Sequence, residues 1–288
     1  MVEEPVTASR EVAMLNFIVN DKRCIRCGQC AADCPVNIIE QKAKTLPRIR
    51  PENEATCIQC QHCLAVCPTA AISILGHDPD LSLPLAVESF SKLEEMLRLV
   101  RGRRSVRQYR DENVDPALHR DLLTALANAP TGVNRRELTF NVIDDKAVMQ
   151  RFREKTLTEL QMANEAGRIP QRLAYLTNAV AAWQEQHRDV LFRTAPHALI
   201  VSAPPDAPCP QEDVALSLAY FDLLAQSAGL GTVWWGLLKS VLLMLPELKS
   251  FLGLPADHHY YGMLFGLPAV HYARTVQRNN AAQIRSVS

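Results

Sequence analysis

The chain has 288 residues, 48% of them apolar, with 31 basic and 31 acidic side chains and so no formal net charge. That length suits one large domain or two ordinary ones with a buried core, and the balanced charge excludes a general nucleic-acid or membrane-surface binder. The opening carries Glu3 and Glu4 in place of a basic stretch with an apolar core, and no apolar run approaches the ~20 residues of a membrane span, so a cytoplasmic protein is expected.

Eight of the nine cysteines fall in two copies of one run, C-x2-C-x2-C-x3-C-P. The first is Cys24, Cys27, Cys30, Cys34 and Pro35; the second, beginning 33 residues later, is Cys57, Cys60, Cys63, Cys67 and Pro68. Val36, Ile38 and Ile39 follow the first run, and Ala70, Ala71, Ile72 and Ile74 the second, while Phe17, Ile18 and Val19 precede the first as a short strand. A duplicated unit this small has little core and needs a staple. Zinc sites usually pair two C-x2-C arms to give four ligands, and disulfide frameworks belong to exported chains; neither calls for four cysteines in a row twice over.

The runs resemble those of bacterial ferredoxins with two [4Fe–4S] clusters, over about 60 residues and with every ligand position filled. The resemblance implies that the last cysteine of each run crosses to the other cluster. One cluster then takes Cys24, Cys27, Cys30 and Cys67, and the other Cys57, Cys60, Cys63 and Cys34. Eight thiolates would make the N-terminal end more acidic than the formal charge suggests.

Gly76, Asp78, Pro79, Asp80 and Pro84 form a helix-hostile stretch. It separates an expected domain at 1–78 from one at 89–288, with residues 79–88 as a linker short enough to keep clusters near the second domain. Ser91 and Glu94 read as a capping-box pair opening a helix. Phe90, Leu93, Leu97 and Val100 recur at helical spacing, and Gly102 reads as the residue after its end.

Arg103, Arg104, Ser105, Val106 and Arg107 follow: three arginines and a hydroxyl leaving a helix end, a set suited to a phosphate or other anion. Asp115 and Pro116 open a further helix bearing Leu118, Leu122, Leu126 and Ala129 on one face. It stops at the turn Pro130, Thr131, Gly132, Val133, Asn134. Residues 140–143 read as a strand, 147–193 as helical, and 197–203 as a second strand. A helix from Asp213 to Ala228, with Val214, Leu218, Phe221 and Ala225 on one side, ends at Gly229, Leu230, Gly231 and Thr232. Two glycines there admit close backbone approach to a ligand, or form a plain helix stop. Residues 259–267 read as a last strand, with Arg274 and Arg278 in the tail.

In this order the pieces R-R-S-V-R (103–107), A-P-T-G-V-N (129–134), G-L-G-T-V-W (229–234) and G-L-P (266–268), followed by arginines, resemble the nitroreductase family of FMN enzymes over about residues 90–280. The resemblance implies an α+β fold, a mostly antiparallel sheet wrapped by helices, and an intertwined homodimer with two FMN sites at its interface. It implies that Arg103 and Ser105 hold the phosphate and ribityl chain, that Arg107 lies near flavin N1 and the C2 carbonyl, and that Asn134 bonds the flavin across the dimer. Gly229, Leu230 and Gly231 would approach N5, and Arg274 or Arg278 would complete the phosphate site. Arg104, Pro130 and Thr131 complete the expected cofactor-binding set. One departure stands out: the family often continues its asparagine turn as N-x-Q-P-W, and here it reads Asn134, Arg135, Arg136, Glu137, Leu138.

Such a chain would pass electrons from its clusters to FMN and on to a nitroaromatic, a quinone or an activated double bond, with ferredoxin or NAD(P)H as donor. No Gly-rich dinucleotide fingerprint is visible. The flavin performs the chemistry, so no catalytic side chain is expected; the eight histidines read as structural and Cys209 as a loop thiol. The competing classes are a non-catalytic redox sensor or relay subunit, and a protein whose clusters are purely structural.

Overall fold

A computed structural model describes residues 15–278 and 281–287; Glu3 and Glu4 lie outside the described residues. The chain divides into two compact units, residues 1–90 and 91–288. Among the described residues no helix is long and apolar enough to cross a membrane.

In the first unit β1 (Ile18–Val19) pairs antiparallel with β4 (Ile72–Ser73), and β2 (Ile39–Glu40) with β3 (Arg48–Ile49). Two one-turn helices, α1 (Gln29–Ala32) and α2 (His62–Ala65), each form inside a cysteine run. The repeat extends to the backbone. Left-handed residues Arg26, Gly28 and Asn37 recur as Gln59, Gln61 and Ala70, each 33 positions on, like the helices themselves. Cys30, Cys34 and Cys63 supply a third of the buried core, with Leu15, Ile38, Ile39, Leu64, Ile72 and Ile74 the rest. So little hydrocarbon leaves the unit dependent on what its cysteines hold. Arg23 grips Asp80 through two parallel hydrogen bonds of 2.7 and 2.9 Å and also reaches the Ala70 carbonyl at 3.2 Å, fixing the chain beyond β4 to the first cysteine loop.

The second unit opens with α3 (Leu93–Gly102). Its cap lies one residue later than Ser91 and Glu94 suggest: Lys92 is the N-cap and its N–H donates to Glu95 at 3.2 Å. Gly102 is the last helical residue rather than the one after it, and the apolar side chains Leu93 and Val100 are mostly exposed. Next comes α4 (Pro116–Ala125), capped by Asp115, which accepts the Ala117 N–H at 2.9 Å. The chain continues through β5 (Thr139–Ile143), α5 (Lys146–Glu165), α6 (Ala174–Gln186), β6 (His197–Ala203), α7 (Pro210–Ser227), β7 (Gly231–Trp234), α8 (Leu237–Met244), α9 (Leu248–Phe251) and β8 (His259–Gly266).

The four long strands form one antiparallel sheet in the order β5-β6-β8-β7. Every residue of β6 is buried, and its alternation serves two cores. Ala198 and Ile200 join Phe152, Leu160, Leu176, Leu238 and Val241 on one face; Leu199 and Val201 join Leu122, Val214, Leu218 and Phe221 on the other. This is the expected α+β sheet wrapped by helices. The helical region at 147–193 is broken at Gly167 (φ 65°) and Pro170. After α6 the chain forms a loop organised by buried Asp189, which accepts the Phe192 and Thr194 N–H groups at 2.8 and 2.9 Å and pairs with Arg153 Nε at 3.0 Å.

Candidate functional site

The thiols of the first unit gather in two sets. Cys34, Cys57, Cys60 and Cys63 line one small pocket, and Cys24, Cys27, Cys30 and Cys67 line another. Each set takes three cysteines from one run and the last from the other. Among the described residues no three Cys, His, Asp or Glu side chains close on a point small enough for a single metal ion. Thiols spread around a cavity fit a polynuclear cluster better than a lone ion, which needs sulfur at ~2.3 Å. Backbone N–H groups already point at sulfur, Gln59 to Cys57 at 3.4 Å and Ala71 to Cys67 at 3.2 Å, the kind of contact that tunes a cluster's potential. Burial pushes the Cys63 thiol up to about 12 against the Leu64 N–H. Ligation requires thiolate, so loading must drive that proton off.

The basic segment runs from α3 along β7. Val106 N–H donates to the Thr232 carbonyl at 2.8 Å, while Arg110 N–H reaches Leu267 and Ala269 N–H reaches Gln108, both at 2.9 Å. The segment is therefore held between β7 and the chain leaving β8. Arg103 Nη1 lies 3.4 Å from Asp222 Oδ2. Asp222 is buried and also accepts the Thr232 hydroxyl and, at 3.3 Å, the Trp234 indole N–H. Arg104 folds back to the Arg101 and Arg103 carbonyls at 2.6 Å each, a favourable place for a cation at a helix C-terminus. Its Nε is buried with no partner. Arg107 is exposed and donates to the Ser105 carbonyl at 3.2 Å, which Tyr272 also reaches at 3.3 Å. Arg274 and Arg278 follow in the exposed tail. An orphaned donor among three guanidiniums is a set whose complement is an anion, and a flavin phosphate fits that chemistry.

The glycines after α7 have separate duties. Gly229 (φ 78°) is the left-handed stop of a Schellman motif, with Leu230 N–H on the Ala225 carbonyl at 2.8 Å and Gly229 N–H on Gln226 at 3.1 Å. Space beside Gly229 is open, and Leu230 is buried. Gly231 admits Val106: a Cβ there would sit 2.7 Å from that side chain.

Pro130 and Thr131 lead into a tight turn at Gly132–Asn134. Thr131 Oγ1 accepts the Arg136 N–H at 3.0 Å, and Asp213 Oδ1 accepts the Gly132 N–H at 2.9 Å. Arg136 and Leu138 stand where the family often has glutamine and tryptophan, and beside them Arg135 pairs with Glu137 at 2.8 Å.

Helix α7 thus anchors both motifs through buried carboxylates that sequence reasoning passed over. Asp213 holds the asparagine turn from its first turn, and Asp222 holds Arg103 from near its last. Nine residues put them about 13 Å apart along the axis and half a circumference apart around it, at the two edges of the buried arc. The signal was present in the sequence as two carboxylates at the margins of a helix's apolar face.

A model described as the nitroreductase family matches residues 100–267, and one described as a 4Fe-4S dicluster domain matches residues 23–73. An iodotyrosine deiodinase from Thermotoga neapolitana is 31% identical over 144 residues, covering 47% of this chain and 70% of that protein. A nitroreductase with bound FMN from Bacteroides fragilis superposes with a TM-score of 0.53 at 21% identity, over 66% of this chain and 99% of that one. Another with bound FMN, from Desulfitobacterium hafniense, gives 0.52 at 20% identity over 67% and 100%. These two structures share the fold.

Proposed function

The chain belongs to the nitroreductase family and carries a 4Fe-4S dicluster domain ahead of it, and from that premise we propose that it is an iron–sulfur flavoprotein oxidoreductase. It takes electrons from ferredoxin or NAD(P)H in the cytoplasm and delivers them to a nitroaromatic, a quinone or an activated double bond. Its two [4Fe–4S] clusters supply one-electron transfer, and FMN supplies the exchange between one- and two-electron chemistry. Residues 1–78 form the cluster domain, 79–88 the linker and 89–288 the flavin domain.

Cys24, Cys27, Cys30 and Cys67 hold one cluster, and Cys57, Cys60, Cys63 and Cys34 the other. Arg103, Arg104 and Ser105, with Arg274 or Arg278, bind the flavin phosphate and ribityl chain. Arg107 offers a guanidinium near N1 and the C2 carbonyl, where a fixed positive charge stabilises a reduced ring. Pro130, Thr131 and Asn134 come from the second copy of a homodimer. Gly229, Leu230 and Gly231 present backbone toward N5, Gly231 by its main chain alone because Val106 fills its side-chain space. Two observations support a site shared between copies: the two motif segments are anchored on opposite sides of α7, and α3 leaves Leu93 and Val100 exposed.

The observation that carries the reading is the pair of four-thiol cavities, each drawing on both cysteine runs. Anaerobically purified protein should hold about eight irons and FMN. Stopped-flow reduction with ferredoxin, NADH and NADPH in turn, following cluster and flavin absorbance separately, identifies the donor. Zinc without flavin overturns the proposal. Reduction without turnover of any acceptor class, together with a tight protein complex, replaces the enzyme by an electron relay.

A further inference from the structure

The turn that carries Asn134 is strained. Val133, Asn134 and Arg136 have φ values of 43°, 56° and 51°, a region unfavourable to L-residues and most of all to a β-branched valine. Such a conformation persists only where its surroundings over-determine it. Three of its restraints are local: Asn134 N–H to the Thr131 carbonyl, Arg135 N–H to the Gly132 carbonyl and Arg136 N–H to Thr131 Oγ1, each 3.0 Å. A fourth is steric, since a Cβ on Gly132 would meet Cys209 Sγ and Pro208 Cβ at 3.1 Å.

The fifth comes from another element. Asp213 lies 81 positions along, in the first turn of α7, and its Oδ1 accepts the Gly132 N–H at 2.9 Å. The residue is 4% exposed. A carboxylate is costly to bury without compensation; here the helix N-terminus and the Gly132 N–H compensate it. The local bonds close the turn on itself, and Asp213 ties it by a hydrogen bond to the rigid helix.

We propose that Asp213 is a positioning residue for the flavin: it sets the conformation of residues 131–136 that presents Asn134, and cofactor affinity depends on it through Asn134. The proposal rests on the reading of Asn134 as a flavin contact, and the experiment separates the two. FMN is titrated into the FMN-stripped full-length protein, with flavin fluorescence giving Kd, for Asp213→Ala, Asp213→Asn, Asn134→Ala and the double variant Asp213→Ala/Asn134→Ala. Iron content and tryptophan fluorescence monitor folding.

Loss of a charge-assisted hydrogen bond at this turn should raise Kd about tenfold in Asp213→Ala. Asp213→Asn should stay within about twofold, because its amide oxygen still accepts the Gly132 N–H. The double variant should bind no more weakly than Asn134→Ala, as coupled residues require. The flavin midpoint potential should shift in the same direction in Asp213→Ala as in Asn134→Ala, and stay in place in Asp213→Asn. An unchanged Kd in Asn134→Ala sinks the reading of Asn134 and this inference with it. A weakened Asn134→Ala beside an unchanged Asp213→Ala, or additive effects in the double variant, overturns the inference alone. Should Asp213→Ala fail to fold, Asp213→Ser, too short to span to Gly132, takes its place in every comparison.

Discussion

His197 sits at the start of β6, fully buried, with its ring held in one tautomer. Its Nε2 accepts the Val114 N–H at 3.0 Å, so its proton lies on Nδ1, facing the Ile143 carbonyl at 3.3 Å. His119 meets it edge-on with ring centroids 4.7 Å apart, and the His119 Nε2 is buried without a partner. Burial, aided by His119, pushes His197 down to about 4, against the pull of the Ile143 carbonyl, Asp144 and Asp145. Burial lowers His119 as well. An unfolded histidine titrates near ~6.5, so the stability held by the neutral ring is complete above that pH and is lost as pH falls from there through 4. For His197 alone the linkage amounts to about 2 kcal/mol between roughly pH 8 and pH 5. The chain's three tryptophans, Trp183, Trp234 and Trp235, all lie in the second unit, so their fluorescence in urea follows that unit. His197→Gln places an amide oxygen where Nε2 accepts from Val114 but does not titrate. Wild type should lose about 2 kcal/mol more than the variant over that range. Equal pH slopes in the two proteins would refute the assignment of the acid sensitivity to this ring.

Cys67→Ala should cut iron to about four atoms per chain; adding Cys24→Ala should remove no more, while adding Cys57→Ala should remove the rest, and the reverse pattern means the ligand sets are exchanged. Cys209→Ala should keep the full complement. Gly231→Ala should destabilise the second unit by about 1–3 kcal/mol through overlap with Val106, measured by urea unfolding, and Val106→Ala should restore much of that loss; no rescue would mean the glycine serves something other than packing. Arg103→Ala should weaken FMN retention while iron content holds, and loss of both cofactors together would contradict two independently loaded units.

Much of the fold is legible in the sequence because its signals are local. Asp115-Pro116 opens α4 as a cap and first-turn proline should, and His197–Ala203, with the apolar run Ala198–Val201 at its heart, forms the central strand. Its two-sided burial follows from Ala198 and Ile200 facing one core while Leu199 and Val201 face the other. The cysteine spacing carries its own register. What stayed hidden depends on partners distant in the chain. Nothing near Gly231 announces Val106, 125 positions earlier. Asp222 stands at the margin of an apolar face in the sequence, but its partners Thr232, Trp234 and Arg103 come from other elements and emerge only in the fold. Helical spacing identified the apolar stripe of α3 but not that it lies exposed within one chain, since periodicity reports a face and not what covers it.

The crossed cysteine sets also govern timing. The cavity lined by Cys24, Cys27 and Cys30 is closed by Cys67, and the one lined by Cys57, Cys60 and Cys63 by Cys34. During synthesis neither set is complete until both runs have left the ribosome, so the earlier half gains nothing from being made first. If these sets hold clusters, loading of either one waits for the second run, and iron and sulfide supply can limit it from that point. Meanwhile a domain with its own large hydrocarbon core is still being translated behind it.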